Sequence, residues 1–411
     1  MKRIYLDHNA TTPVDPEVLD AMLPYFKELY GNPSSIHIFG QEAKRGMEHS
    51  REQIASLINA DTSEIVFTSG GTESDNLAIK GTLSSGHARG KHIITVNTEH
   101  HAILNQANYL EQQGYKITFL PVDKHGIISL KQLKESITEE TAIISVMLAN
   151  NETGTLQPIT EIGEIINNIC AGSKSSRKIF FHTDAVQAAG KIPIDVKKLN
   201  VDLLSLSAHK IYGPKGIGIL YVRKGTKIHP IIHGGHHERN RRAGTENIPG
   251  IIGMGKAAEL AVKNLISENR QLRKLRNKLW NELSKHIPYI YLNGPELKPE
   301  SASSVEEKRL PNTINISFEY IEGESILLNL DLIGIAVSTG SACTSGSLEP
   351  SHVLSAMEIG PVRSQGSLRF SLGKDNTEQE IDYVINELPG IISKLRIMSP
   401  LFEQYKQNKK E

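Results

Sequence analysis

The sequence predicts an α/β protein built around a mostly parallel seven-stranded sheet. Seven short apolar, β-branched runs recur in the first half of the chain, at 64–69, 92–96, 116–121, 141–148, 178–183, 202–207 and 218–222. Helical or loop segments separate most of them, and strand alternating with helix over such a length implies parallel strands covered on both faces. With 411 residues and 38% hydrophobic side chains, the chain has enough material for a large unit and a smaller one.

Taken in order, a short extended start leads into a helical region at 15–60, interrupted by the turn-rich Gly31-Asn32-Pro33-Ser34-Ser35. The strand at 64–69 runs straight into Gly70-Gly71-Thr72-Glu73-Ser74, glycines followed by a hydroxyl cap and an acidic first turn, which marks a strand-to-helix turn. From about 255 the pattern changes to a long charged amphipathic helix. It is followed by Asn312–Phe318, a loop rich in Gly and Ser, Leu368–Gly373 and a final helix. This divides the chain into a large domain at 15–257 and a small α+β domain made of 1–14 and 258–411.

Charge excludes some functions. Lys plus Arg and Asp plus Glu balance at 46 each, so no net field draws the chain to nucleic acid or to anionic lipid, and a small ligand is expected. The start lacks the apolar run of a secretory signal and no stretch approaches the ~20 apolar residues of a membrane span, so a cytoplasmic protein is expected. Two cysteines far apart, Cys170 and Cys343, do not make a disulfide framework or a zinc knuckle.

Three features carry chemistry. Lys210, in Ser205–Gly218, follows a strand end with small hydroxyl-bearing residues and precedes a Gly/Pro turn; a lysine so placed can bind a carbonyl cofactor covalently. The Gly-x-x-Gly-x-Gly that follows precedes a strand instead of opening a helix, so it is not a dinucleotide loop. Asp184 lies at the end of another apolar run, where an acid can keep the pyridine nitrogen of pyridoxal phosphate protonated; a helix cap is its other reading. The turn at Gly71 and Thr72 offers backbone N–H groups and a hydroxyl at a helix N-terminus, an anion site suited to a monophosphate because no Gly-Lys-Ser/Thr follows.

Nine ordered motifs then make the chain resemble, nearly end to end, the fold-type I pyridoxal-phosphate enzymes. Within them it is similar to the class V aminotransferase-like cysteine desulfurases of the NifS/IscS type. The motifs are YLDHNATT, TSGGTESDN, TEHHA, ANNETG, HTDAVQ, SAHKIYGPKG, RAGTEN, STGSACTSGSLEPSHVL and LRFSLG. The resemblance implies pyridoxal 5′-phosphate carried on Lys210, with Asp184 at its ring nitrogen, Gln187 at its phenolic oxygen and His100 over its ring as proton shuttle; His101 is read as structural. It implies Gly71, Thr72, Ser207 and His209 at the phosphate, Thr245 reaching the phosphate of the other subunit of a homodimer, and Arg369 with Asn151 at the substrate carboxylate.

Cys343 is implied as the nucleophile that takes sulfur from L-cysteine, leaving L-alanine and a persulfide. Its small polar neighbours predict a mobile loop that delivers the sulfur, whereas Cys170 reads as a plain structural thiol. The resemblance implies a sulfur-acceptor protein and leaves open whether it is an iron–sulfur scaffold, a tRNA-thiolation enzyme or another carrier. No metal site of its own is implied, though Cys343 can touch iron transiently through a bound iron–sulfur cluster. A selenocysteine lyase or cysteine sulfinate desulfinase shares this cofactor site, a transaminase has no need of Cys343, and a sulfur-relay scaffold would show little catalysis. His233–Arg242 holds three histidines and Glu238, but its spacing fits no metal motif. Arg239, Arg241 and Arg242 are expected near the dimer boundary and the phosphate.

Overall fold

The computed structural model describes residues 3–172, 178–298, 307–339 and 350–408. Its first strand, β1 (Ile4–Tyr5), belongs to a small parallel pair closed from the other end of the chain. The main sheet is built from β2 (Ile65–Thr68), β3 (His92–Val96), β4 (Lys116–Leu120), β5 (Thr141–Ser145), β6 (Phe180–Asp184), β7 (Leu203–Ser207) and β8 (Gly218–Val222). The strand order is β2-β8-β7-β6-β5-β3-β4. All neighbours are parallel except β8, which runs antiparallel to both β2 and β7.

Burial explains these segments. Every residue of β2, β3, β5, β6, β7 and β8 is buried, as parallel strands covered on both faces must be, whereas β4 at the sheet edge is largely exposed or half-buried. Parallel strands all point their C-terminal ends one way, and in open α/β sheets that rim is where ligands bind. Here the rim carries the turn at Gly71, His100, the loop around Asn151, Asp184 and Ser207.

A second sheet contains β9 (Ile290–Asn293), β10 (Thr313–Phe318), β12 (Ser338–Thr339) and β13 (Ser367–Ser371), all antiparallel in the order β12-β13-β10-β9; β11 (Ile335–Ala336) pairs with β1. Its apolar core includes Ile4, Leu6, Ile314, Phe318 and Phe370, distinct from the core under the main sheet. The helix Ile248–His286, 39 residues and about 58 Å long, serves both: Ile248 to Leu260 pack into the first core and Leu272 to Leu283 into the second. It starts seven residues earlier than its charged pattern predicts because the Asn247 side chain accepts from Gly250 N at 3.1 Å and Pro249 occupies its first turn. The expected boundary at 257/258 therefore falls inside one continuous helix.

A buried arginine ties the two sheets. Arg309 donates to the carbonyls of Thr153 (2.6 Å), Asn293 (2.6 Å) and Pro295 (2.6 and 2.9 Å), which fixes the loop that carries Asn151 against the second sheet. No helix among the described residues is long and apolar enough to cross a membrane.

Candidate active site

The main sheet and the second sheet enclose a cavity of about 340 Å³, lined among others by Gly71, Thr72, His100, Asn151, Asp184, Gln187, Ser207, His209, Lys210 and Arg369. Ten residues singled out from the sequence thus converge on one space. Thr245 does not: it is exposed and lines a separate pocket with Ser69 and Arg242. Cys343 lies outside the described residues.

Lys210 ends the short 3-10 turn Ala208–Lys210 that follows β7, and its Nζ donates to the main-chain carbonyls of Asn9 (2.6 Å) and Ala10 (2.7 Å). Asp184 is the last residue of β6. One oxygen caps the following turn by accepting from Val186 N at 2.8 Å, as the cap reading expects, and the carboxyl also lines the cavity. Burial pushes its pKa up to about 6 against the opposing pull of the Val186 N–H and of Lys210. Beneath it Asp75 is buried beside His182, 3.6 Å away, and burial together with the charge of Asp184 holds Asp75 well above the usual carboxylate range.

His100 is the N-cap of the helix His101–Gln112, and its Nδ1 accepts from Ala102 N at 3.2 Å. The lone pair at Nδ1 is occupied, so in the neutral ring the proton sits on Nε2. Burial, with Lys210 and His101 adding repulsion, lowers its pKa to about 4, which keeps the ring neutral at physiological pH. His101 turns the other way and packs its ring 4.8 Å from that of His352.

Arg369, in β13, is buried; it pairs with Asp7 Oδ1 at 2.7 Å and donates to Asn151 O at 3.1 Å, while its Nε has no partner among the described residues. Glu152, next to Asn151, is buried and accepts from Ser351 Oγ. Burial raises its pKa to about 7 despite Ser351 and Arg369. A raised carboxyl stabilises the fold below its unfolded pKa and loses that contribution as pH rises through about 7. Glu152→Gln is therefore expected to raise the thermal unfolding midpoint at pH 8, by the equivalent of about 1–3 kcal/mol, and to change little at pH 5. Calorimetry at the two pH values checks this; equal shifts at both would refute it.

The loop His233–Arg242 is stitched to its own chain. Glu238 holds the buried Arg51 at 2.9 Å and accepts from Phe67 N at 2.8 Å, Arg239 and Arg241 donate to Ser63 O, and Arg242 pairs with Glu73 at 2.8 Å. Among the described residues no three His, Cys, Asp or Glu side chains are grouped to hold a metal ion. Cys170 is half-buried against the main core.

Sequence reasoning passed over Asp7, Asn9, Glu152 and Lys191. Asn9 is the hub among them. Its carbonyl accepts from Lys210 and from Gln187 Nε2 (2.9 Å), its Nδ2 donates to Asn151 O (3.1 Å) and Thr313 Oγ1 (2.9 Å), and its Oδ1 accepts from Lys191 Nζ (3.3 Å).

This fold and this ring of residues define a class V aminotransferase, and the chain belongs to that family, which it matches over residues 4–384. Within the family it stands among the cysteine desulfurases. It is 53% identical over 411 residues to cysteine desulfurase IscS of Dictyoglomus turgidum, covering 100% of both chains. It is also 53% identical over 400 residues to cysteine desulfurase IscS of Methanosarcina thermophila, covering 97% of this chain and 94% of that one. Among solved structures it resembles a NifS-like protein (TM-score 0.86, 41% identity, 96% of this chain and 100% of that one). A second NifS-like protein, from Rickettsia africae, gives a TM-score of 0.81 at 33% identity over 95% of this chain and 100% of that one.

The family is pyridoxal-phosphate dependent, and the cavity fits that group. The helix Gly71–Leu83 begins with its first-turn N–H groups capped by no side chain among the described residues, beside Thr72 and Ser207. A side chain at Gly71 would stand 2.9 Å from Cγ2 of Val186, another residue of the cavity wall, so a larger residue here would have to displace it. A buried acid and a lysine line the same cavity.

Proposed function

We propose that the chain converts L-cysteine to L-alanine and passes the sulfur to Cys343 as a persulfide, supplying iron–sulfur cluster assembly or another thiolation. The observation that carries this reading is the single cavity lined by Lys210, Asp184, His100, an uncapped helix N-terminus and a buried arginine. Gly71, Thr72, Ser207 and His209 would hold the cofactor's phosphate, Asp184 its ring nitrogen and Gln187 its phenolic oxygen. When bound, the cofactor supplies an electron sink for the carbon next to the substrate's amino group.

The chain's own residues do the rest. Arg369 and Asn151 orient the substrate carboxylate; the Nε of Arg369 supports this role, because a buried guanidinium donor without an acceptor among the described residues fits an incoming carboxylate. Lys210 Nζ takes up the α-proton. His100 cannot do so at Nε2 while Nδ1 is held by Ala102 N, so the neutral ring offers its Nε2–H to the cavity as a hydrogen-bond donor. The Cys343 thiolate then attacks the substrate sulfur: an S–S bond forms, the C–S bond breaks with its electron pair going to carbon, and a proton at that carbon completes alanine.

A homodimer belongs to this reading. Exposed apolar residues gather along 19–39, among them Phe26 (60% exposed), Tyr30, Ile36 (91% exposed) and Phe39, a surface suited to a second copy. Thr245, exposed and outside its own cavity, would reach the partner's phosphate. A cytoplasmic setting and a protein sulfur acceptor complete the proposal. Incubation with L-cysteine and a thiol reductant is expected to release alanine and sulfide in a one-to-one ratio; alanine without sulfide, or neither, would defeat it.

A further inference from the structure

The turn after Asp184 carries a second buried cation that the chemistry above leaves unused. Lys191 is only 7% exposed and lies four residues beyond Gln187. The stretch between them is a succession of turns in which Lys191 N bonds Ala188 O at 3.0 Å and Gly190 takes a left-handed φ of 68°. This fold-back brings the two side chains together. Lys191 Nζ donates to Gln187 Oε1 at 2.9 Å and to Asn9 Oδ1 at 3.3 Å. Gln187 Nε2 donates in turn to Asn9 O at 2.9 Å, the carbonyl that also receives Lys210 Nζ.

Both acceptors of Lys191 are neutral amide oxygens, and among the described residues no carboxylate is in ion-pair contact with it. Lysine is almost never so deeply buried without a countercharge. The charged groups around it are Lys210 and Arg369, and its own charge is felt at His8 and His209; burial, Lys210 and Arg369 push its pKa down to about 7.

A side-chain amide is nearly symmetric in shape, so its direction must be set by its partners. Lys191 Nζ donates to Oε1 of Gln187, and in its protonated form it has donors and no acceptor, which commits that oxygen to Lys191. One hydrogen of Nε2 is taken by Asn9 O, and the other is left for the cavity that Gln187 lines. We propose that Lys191 is a positioning residue that holds the Gln187 amide in the single orientation able to donate to the cofactor. The inference rests on the cofactor reading above and names a residue that reading does not use.

The test uses the holoenzyme and two readouts besides turnover: the dissociation constant for pyridoxal phosphate, and the midpoint of the pH titration of its visible absorbance. Lys191→Met keeps the length and removes the donor and the charge. It is expected to weaken cofactor retention by about tenfold and to move the midpoint upward by about half a unit or more. Lys191→Arg is expected to restore both to within about threefold. With Gln187→Leu already present, adding Lys191→Met is expected to change retention by less than about twofold.

A Lys191→Met holoenzyme with unchanged retention and midpoint would overturn the proposal. So would an equal loss in both backgrounds, which would make Lys191 a space-filling residue only. Should Lys191→Met not fold, Lys191→Gln is judged by the same criteria. A wild-type protein with no cofactor-dependent visible band would overturn the cofactor reading itself, an outcome distinct from a band that is present and unmoved by Lys191→Met.

Discussion

Lys210→Ala is expected to yield a folded protein that loses the visible band of its bound cofactor on gel filtration and releases alanine from cysteine more than about 10³-fold more slowly. The size of the loss follows from how few substitutes the cavity holds. Lys210 Nζ lies against the carbonyls of Asn9 and Ala10, so its removal strips two donors from that corner. His100 has its Nδ1 occupied and its pKa lowered to about 4, so it stays neutral and presents at Nε2 a hydrogen-bond donor and not a base. Lys191 is tied to Gln187 and Asn9 and does not line the main cavity. Freeing two main-chain carbonyls costs about 1–2 kcal/mol, small beside the chemical effect. A variant that keeps the band and the turnover would remove Lys210 from the mechanism.

The sheet was legible because its strands are continuous aliphatic runs, a pattern that buried parallel strands require. Their ends were less so. The run 141–148 reads as one strand, yet the ladder closes at Ser145, and Val146 and Leu148 continue it only through single bonds to His182 O and Asp184 O. Lys210, Asp184 and the Gly71 turn could be read locally because each combines a strand end with a residue type of distinct chemistry.

Asn9 and Asp7 could not be read so. Their roles arise when β1 pairs with β11 some 330 residues later and brings the N-terminal segment under Lys210 and beside Arg369. Nothing in the sequence near residue 9 encodes that closure. Glu152 was hidden for the same reason: its hydroxyl partner, Ser351, is 199 residues away. Long-range polar pairs carry no periodicity, so pattern reading finds strands and helices before it finds the contacts that join them.

Cys343→Ser is expected to abolish persulfide formation and reduce sulfide release by more than about 10³-fold, with the cofactor band intact, because a serine hydroxyl stays protonated near neutral pH whereas a thiol ionises and attacks sulfur. Cys343 lies outside the described residues, but both flanks of its segment are anchored at the cavity. Ser338 pairs with Arg369 across β12 and β13, and Ser351 bonds Glu152, the neighbour of Asn151. The described residues on either side of that segment therefore lie beside the groups proposed to hold the substrate carboxylate. The same variant distinguishes a sulfur carrier from a proton donor: if Cys343 only moved protons, Cys343→Ser would slow alanine and sulfide release together and leave labelled sulfur on the protein. Labelled L-cysteine followed by mass analysis of the intact chain reads this directly. A Cys343→Ser protein that still carries a persulfide, or still turns over at the wild-type rate, would transfer the nucleophile's role away from Cys343.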